Sequence, residues 1–202
     1  MVAIVDYGVG NLFSLKSSFA AIGADIVVTD DPAVLRNADR IILPGVGAFG
    51  DAAAKLRQTG LDKVLKELAA EGKPLMGICL GMQLLFDKGY EYGEHEGLGL
   101  IPGNVKPIAD VIPKDLKIPH IGWNALEFDE KCPLFKYLNQ GDCVYFVHSF
   151  YAADCDEWVI GKAEYGAYLT AAAQKGNVYG CQFHPEKSGN VGLNILRAFC
   201  EL

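Results

Sequence analysis

Short apolar runs alternate with amphipathic segments over the first half of the chain. Four runs rich in Val, Ile and Leu have the length of buried strands. They lie at residues 2–5, 26–28, 40–43 and 74–78. The segments between them place apolar residues at helical spacing and predict helices. These helices cover residues 12–22, a short stretch from residue 32, 51–57 and 61–70. This alternation is typical of a parallel sheet with helices on both faces.

The pattern changes in the second half of the chain. Short segments rich in aromatic and β-branched residues are divided by glycines and predict antiparallel or mixed strands. They lie at residues 144–151, 157–166, 168–176 and 178–184, before a predicted closing helix over 190–199. We therefore expect one α/β domain over residues 1–202. In it, helices flank a mostly parallel central sheet, and a second mixed or antiparallel strand region occupies the C-terminal half.

The composition is that of an ordinary globular protein and narrows the range of partners. The chain has 202 residues, of which 50% are hydrophobic and 21% charged, and its net charge is −7. No Lys/Arg cluster offers an electrostatic footprint for nucleic acid or an anionic membrane. No apolar run approaches the roughly 20 residues of a membrane span. The opening MVAIVDYG lacks the basic flank of a signal peptide, so we expect a cytoplasmic protein with cytosolic thiols and no disulfide framework. The histidines show no zinc-type spacing, so no metal is expected.

Cys79 stands in the sequence GICLG, where the fourth predicted strand gives way to a helical pattern. A free cysteine in an apolar stretch is commonly a small buried hydrophobe. Gly77 and Gly81 favour a different interpretation, because a G-x-S-x-G elbow places a nucleophile on a sharp strand-to-helix turn between two glycines. A helix starting near Leu80 is expected to favour the thiolate, and the Leu80 N–H is expected to meet an oxyanion.

A cysteine nucleophile needs a base and a group that orients the base. His184 and Glu186 lie two residues apart in QFHPEKS, after an apolar segment. In an extended chain such residues share a face, so Glu186 can hold one ring nitrogen while the other faces sulfur. A lone His-x-Glu is more often a surface pair, but the cysteine elbow favours the catalytic interpretation. His148 is the competing base. It lacks an adjacent carboxylate, so we expect a structural or pocket-lining role.

The segment LPGVGAFGD, residues 43–51, follows a predicted strand and is rich in glycine. It has no Gly-Lys-Ser/Thr ending, so it does not match a phosphate-binding loop. A tight turn is one interpretation. The other is a flexible backbone segment in which the N–H of Val46 or Gly47 meets the developing negative charge beside Leu80.

With these residues in place, the chain resembles the class I glutamine amidotransferases. GICLGMQ at 77–83 and FHPE at 183–186 match the two signatures of that family, in this order and about a hundred residues apart. Class II amidotransferases use a cysteine directly after Met1, and Val2 excludes that class.

Further segments resemble one branch of the family, the glutaminase subunits of imidazole glycerol phosphate synthases. They are DYGVGNLFSL (6–15), LPGVGAFGDA (43–52), GLGLIPG (97–103), PHIGWN (119–124), YFVHSFY (145–151) and HPEKSG (184–189). Two rivals remain. One is an enzyme of the same fold, either the glutaminase of a pyridoxal phosphate synthase or a cysteine peptidase-like relative, and the other is a non-catalytic interaction module on that fold. DYGVGN and PHIGWN speak against the first, and the intact Cys79, His184 and Glu186 speak against the second.

The resemblance implies a reaction and a partner. Cys79 forms a glutamyl thioester and releases ammonia, with His184 as acid and base and Glu186 as its orienting group. The ammonia passes to a (β/α)8-barrel cyclase subunit in a heterodimer, which makes imidazole glycerol phosphate and an aminoimidazole carboxamide ribonucleotide for histidine biosynthesis. No cofactor is implied. The family's glutamine-binding positions correspond here to Gln83, Gly47 and the backbone of Ser149 and Phe150.

Three residues lie in segments that resemble the family's cyclase-facing loops: Asn11, Trp123 and Lys187. The alternatives are a helix N-cap for Asn11, core packing for Trp123 and a solvated charge for Lys187. We also hypothesise a control point in the segment 45–47, since glycine tolerates both signs of φ. Its peptide N–H is expected to turn away from the site in the isolated chain and toward it when the cyclase holds its acceptor.

Overall fold

The computed structural model describes all residues, 1–202, and contains fourteen strands and six α-helices. The strands are β1 Val2–Val5, β2 Ile26–Thr29, β3 Arg40–Leu43, β4 Leu75–Ile78, β5 Lys88–Gly89, β6 His95–Glu96, β7 Asn104–Pro107, β8 His120–Ala125, β9 Glu127–Phe128, β10 Cys143–His148, β11 Phe150–Ala153, β12 Val159–Glu164, β13 Tyr168–Lys175 and β14 Val178–Cys181. The helices are α1 Leu12–Ala21, α2 Pro32–Asn37, α3 Phe49–Thr59, α4 Leu61–Ala70, α5 Leu80–Gln83 and α6 Gly189–Cys200.

The central sheet has eight strands in the order β2-β1-β3-β4-β14-β13-β12-β9. The first five of these are parallel to one another. The remaining three continue the sheet in antiparallel pairing. The expected α/β fold with a mostly parallel sheet is therefore confirmed, and three C-terminal antiparallel strands, β13, β12 and β9, extend that sheet at one edge.

Two smaller sheets complete the expected mixed region. One is an antiparallel ribbon of β8 and β10, and the other has the order β11-β7-β5-β6. The ribbon matters for the site because His120 is paired with His148 and Trp123 with Tyr145.

Helices cover both faces of the central sheet, which explains why the parallel strands β1, β4 and β14 are buried along their whole length. Alternate residues of β1 point to opposite faces, so Ala3 and Val5 join one core while Val2 and Ile4 join the other. Helices α2, α3 and α4 bury apolar residues in the first core. Helices α1 and α6 do so in the second.

The helix predicted after Cys79 is much shorter than its apolar pattern indicates. It ends at Gln83 after one turn. The backbone carbonyls of Leu84 and Leu85, which a longer helix needs, instead accept from the N–H groups of Leu98 and Leu100. A tertiary contact therefore replaces the helix. The macrodipole of a single turn is small, so the expected dipole stabilisation of a thiolate is weaker than the sequence indicated.

Close backbone packing joins the end of β3 to the turn after β4. A Cβ atom on Gly81 would lie 1.9 Å from the Leu43 carbonyl oxygen, and one on Gly77 would lie 2.4 Å from the Gly81 oxygen. Only glycine leaves room for these contacts. The two flanking glycines thus bring the elbow against the neighbouring strand, as expected from GICLG.

None of the helices combines the length and the apolar character that crossing a membrane requires.

We predict that Gly81→Ala destabilises the fold more than Gly161→Ala does. The new methyl group meets backbone at 1.9 Å in the first case, whereas at Gly161 its nearest neighbours, the Ala172 and Leu126 side chains, are 3.4 Å away. We expect a loss of at least about 3 kcal/mol for Gly81→Ala and at most about 1.5 kcal/mol for Gly161→Ala. Urea denaturation of both variants measures the free energy of unfolding. Equal losses would contradict the assigned packing role.

Candidate active site

Cys79 has an unusual backbone conformation. Its φ is 55° and its ψ is −113°, and its N–H donates to the Cys181 carbonyl oxygen at 2.7 Å. A positive φ is strained for a residue with a Cβ, and such residues concentrate at functional sites. This strained residue lies at the carboxyl end of β4, between the sheet and the single turn of α5. The predicted elbow is therefore present in the structure.

His184 and Glu186 form a buried pair. The distance from His184 Nδ1 to Glu186 Oε1 is 2.7 Å, and their side chains are only 4% and 2% exposed. His184 is extended, as the following proline predicts. The pairing itself arises differently from the expectation of strand alternation, because a 3-10 turn over Pro185–Lys187 brings Glu186 back to the ring.

The surroundings of His184 keep its ring protonated at neutral pH. Burial lowers the pKa of His184, but a hydrogen bond with the Cys79 side chain and the bond with Glu186 outweigh burial and raise the pKa to about 9. Glu186 engages Nδ1, so Nε2 is the ring nitrogen available to sulfur. This arrangement pairs a cysteine with an imidazolium that a carboxylate orients.

His148 has the opposite environment. Burial without a carboxylate lowers the pKa of His148 to about 4. Its Nδ1 lies 2.8 Å from the Phe150 carbonyl oxygen, and its Nε2 lies 2.9 Å from His120 Nδ1. Both ring nitrogens are thus engaged by the protein. This geometry favours His184 as the base and gives His148 the pocket-lining position that the sequence suggested.

Two buried residues that the sequence analysis missed contact the reactive region. Gln182 Nε2 lies 3.8 Å from Cys79 Sγ, and Gln182 Oε1 accepts from Gln83 Nε2 at 3.0 Å. The Tyr7 hydroxyl donates to the Pro44 carbonyl oxygen at 2.8 Å. Neither residue belongs to a recognisable local motif. Gln182 directly precedes the FHPE signature and Tyr7 lies within DYGVGN. These segments match the family, but the sequence assigns no role to either residue.

A cavity of about 320 Å³ opens at the thiol. It is lined by Val46, Gly47, Cys79, Leu80, Gln83, Glu91, Pro119, Val147, His148, Ser149, Phe150, His184 and Lys187. Every predicted oxyanion and glutamine-binding residue is in this lining. Glu186 lies outside it, where it holds His184. The Phe150 carbonyl oxygen is already occupied by Gln83 Nε2 and His148 Nδ1, which leaves backbone N–H groups as the better partners for a ligand.

The loop 44–48 forms one side of the cavity, and its residues differ in how closely they are packed. Val46 is 45% exposed, and Gly47 has a φ of +93° with open space around it. Gly45 differs, because a Cβ there would lie 2.7 Å from the Gly81 nitrogen. A side chain at Gly45 would therefore collide with the elbow, whereas one at Gly47 would meet no atom within 4 Å. The proposed rotation of the segment 45–47 stays a prediction.

Glu91 is the only acidic residue in the cavity lining, and the sequence analysis missed it. It lies between β5 and β6, in the segment EYGEHE, which matches no motif. Its carboxylate Oε2 accepts from the Phe49 N–H at 2.8 Å. A carboxylate at this position gives the cavity a partner for a ligand ammonium group.

The three residues expected at a partner interface have different settings. Asn11 is the N-cap of α1, where its Oδ1 accepts from the Ser14 N–H at 3.3 Å. Trp123 is 55% exposed and contacts the edge of Tyr145, so core packing is not its role. Lys187 Nζ lies 5.7 Å from the centre of the Tyr145 ring, at the cavity.

The sequence over residues 3–201 matches the family model for glutamine amidotransferase class-I. The chain belongs to the class I glutamine amidotransferases. Among curated proteins it is 48% identical over 204 residues to imidazole glycerol phosphate synthase subunit HisH of Wolinella succinogenes, with 100% of both chains covered. It is 49% identical over 201 residues to the HisH subunit of Sulfurimonas denitrificans, covering 98% of this chain and 97% of that protein. Both the family and its branch are therefore confirmed.

Solved structures of the family support the fold. A glutamine amidotransferase crystal structure superposes with a TM-score of 0.77 at 20% identity, covering 100% of this chain and 98% of that one. A chain of PurLQS from Thermotoga maritima superposes with a TM-score of 0.75 at 22% identity, covering 99% and 97%. At such low identity the likeness concerns the fold alone.

We predict that His184 titrates near pH 9 and His148 near pH 4. The folded-state pKa of His184 lies above its ordinary value of about 6.5. The protonated ring therefore stabilises the fold fully below pH 6.5, and this contribution is lost as the pH rises through 9. Cys79→Ala and Glu186→Gln are each expected to lower the His184 pKa.

Histidine NMR over this pH range measures both values, and His184→Asn and His148→Asn assign the signals. A higher pKa for His148 than for His184 would reverse the choice of base.

Proposed function

We propose that this chain is the glutaminase subunit of an imidazole glycerol phosphate synthase and supplies ammonia for histidine biosynthesis. The observation that carries the proposal is that the strained Cys79 elbow and His184, which Glu186 holds in a buried pair, line the same cavity. The two relatives described above carry the name of that subunit over the full length of the chain. The cavity, about 320 Å³ with a single carboxylate, suits a small zwitterionic amino acid such as glutamine.

Substrate binding follows from the charges of the lining. Glu91 receives the α-ammonium group, because it is the one acidic side chain there. Gln83 and the backbone at Ser149 and Phe150 hold the rest of the molecule. The side-chain amide then lies against Cys79, with its oxygen toward Leu80 and the loop 44–48.

Catalysis proceeds in two steps. The Cys79 thiolate attacks the amide carbon, and the N–H groups of Leu80 and of Val46 or Gly47 stabilise the oxyanion. The His184 imidazolium gives its proton to the leaving nitrogen, so that ammonia departs and a glutamyl thioester remains. The neutral ring then takes a proton from water, which attacks the thioester. The tetrahedral intermediate collapses to glutamate and the thiolate, and His184 is again an imidazolium held by Glu186.

The partner that we propose is a (β/α)8-barrel cyclase, and its contact surface lies at the mouth of the cavity. Tyr145 lies next to both Trp123 and Lys187, of which Lys187 lines the cavity, and β10 continues from Tyr145 into the cavity wall at Val147 and His148. Half-exposed aromatic side chains next to a cation are common in protein interfaces. A partner on this surface sits where ammonia leaves the thiol, which protects ammonia from escaping to solvent.

The first test of the proposal concerns the nucleophile. Cys79→Ala is expected to abolish glutamine hydrolysis, because it removes the atom that forms the thioester. The complex with the cyclase should still make product from added ammonium. Retained glutamine-dependent turnover would contradict the assignment, and loss of the ammonium-dependent reaction as well would indicate failed folding or assembly.

The second test concerns the partner. We expect slow glutamine hydrolysis by the chain alone. The rate should rise about 100- to 1000-fold when the cyclase and its nucleotide ligand are added, since the loss of one oxyanion donor lowers kcat by about that factor. The Asn11→Ser, Lys187→Ala double variant should reduce this gain. Serine retains the N-cap of α1, so the change tests the contact and not the helix.

Lys66→Ala on the exposed side of α4 serves as the matched control. Full activity of the isolated chain would refute the control point in the segment 45–47, and an unchanged gain in the double variant would refute the interface.

A further inference from the structure

The hairpin of β5 and β6, residues 88–96, is clamped onto the first turn of α3. A Cβ on Gly89 would lie 2.6 Å from the Phe49 ring, and a Cβ on Gly50 would lie 2.7 Å from the His95 ring. Phe49 is fully buried under this hairpin. The hairpin and the start of the helix therefore move together, since neither contact leaves room for an independent shift.

The N-cap position of helix α3 lacks a side-chain acceptor. Ala48 occupies this position, and its φ of −86° and ψ of 142° are usual there, but its side chain accepts no hydrogen bond. Glu91 supplies the missing acceptor from the hairpin, because its Oε2 accepts the Phe49 N–H at 2.8 Å. A carboxylate at a helix N-terminus also complements the macrodipole of this eleven-residue helix.

The loop 44–48 is thus held at both ends. At its start, the Tyr7 hydroxyl binds the Pro44 carbonyl oxygen and Gly45 packs on Gly81. At its end, Phe49 is fixed by Glu91. Between these anchors lie Val46 and Gly47, the residues with the oxyanion N–H groups. The second anchor is the only one that also lines the cavity, since Tyr7 does not.

We propose that Glu91 is a positioning residue for the oxyanion donors, and that its carboxylate links the bound substrate to the loop 44–48. This inference rests on the proposed function, in which Glu91 receives the α-ammonium group. Its Oε2 holds the Phe49 N–H, and its Oε1 makes no hydrogen bond within the protein and remains for the ligand. A bound ammonium fixes the carboxylate between two positive partners, the ligand and the helix N-terminus.

Three variants separate the two roles. Glu91→Gln keeps an acceptor of the same length for the Phe49 N–H but loses the charge for the ammonium. Glu91→Ala loses both. Glu91→Asp keeps the charge, but its side chain is one methylene shorter and does not span the distance to both partners. Glu91→Asp also serves as the second test of the anchor if the alanine variant fails to fold.

The measurement is kcat and KM for glutamine, with each variant assembled with the cyclase and its nucleotide ligand. We expect Glu91→Gln to raise KM at least about tenfold and to change kcat less than about threefold, because it removes ground-state and transition-state binding equally. Glu91→Ala and Glu91→Asp should lower kcat at least about tenfold, part of the 100- to 1000-fold value of one oxyanion donor. Amide hydrogen exchange at Phe49 should be faster in these two variants and unchanged in Glu91→Gln.

The positioning role would be overturned by equal kcat values for Glu91→Gln and Glu91→Ala, or by equal rates of Phe49 amide exchange in these two variants. Either result would leave the proposed function intact. Failure of the proposed function has a different signature, since the unaltered protein would then show no glutamine hydrolysis that depends on Cys79.

Discussion

The active site depends on the close approach of two adjacent parallel strands at their carboxyl ends. β3 ends in the loop with the oxyanion donors, and β4 ends in the elbow with the nucleophile. Gly81 lies against the Leu43 carbonyl and Gly45 lies against Gly81, with no space for a side chain at either position. This backbone contact fixes the distance between the attacking sulfur and the donors. Other side chains of the site can then be contributed by β10, the hairpin 88–96 and the turn after β14.

Environment, not residue type, distinguishes the two histidines at the cavity. His184 and His148 are both buried, and burial alone disfavours a charged ring. Cys79 and Glu186 reverse that effect for His184, while the hydrogen-bonding partners of His148 are a carbonyl oxygen and the ring of His120. The result is one protonated and one neutral imidazole on the same cavity. Such a separation of pKa values lets one ring donate a proton while the other serves as a rigid part of the wall.

The sequence alone predicted what depends on local patterns. The first four strands and the glycine-flanked turn at Cys79 follow from periodicity and turn chemistry over a few residues. The His184–Glu186 pair was also predicted, although a 3-10 turn and not strand alternation produces it. What it missed depends on contacts between distant segments. The helix after Gln83 is replaced by bonds to residues 98–101, and the two-residue strands around Glu91 have too few residues for a periodic signal. Gln182 resembles any other polar residue until the fold places it beside sulfur.

The same distinction explains why the sequence did not predict a role for Glu91, although its carboxylate binds the first turn of α3 and lines the cavity. An N-cap hydrogen bond is normally predicted from the side chain of the residue before the helix. Here that residue is Ala48, whose side chain has no acceptor. The acceptor comes instead from a hairpin more than forty residues later, which also borders the cavity. A cap within the loop would hold α3 equally well but would be indifferent to the ligand. By placing the acceptor on a different element, the fold makes the stability of the loop depend on the same carboxylate that faces the substrate.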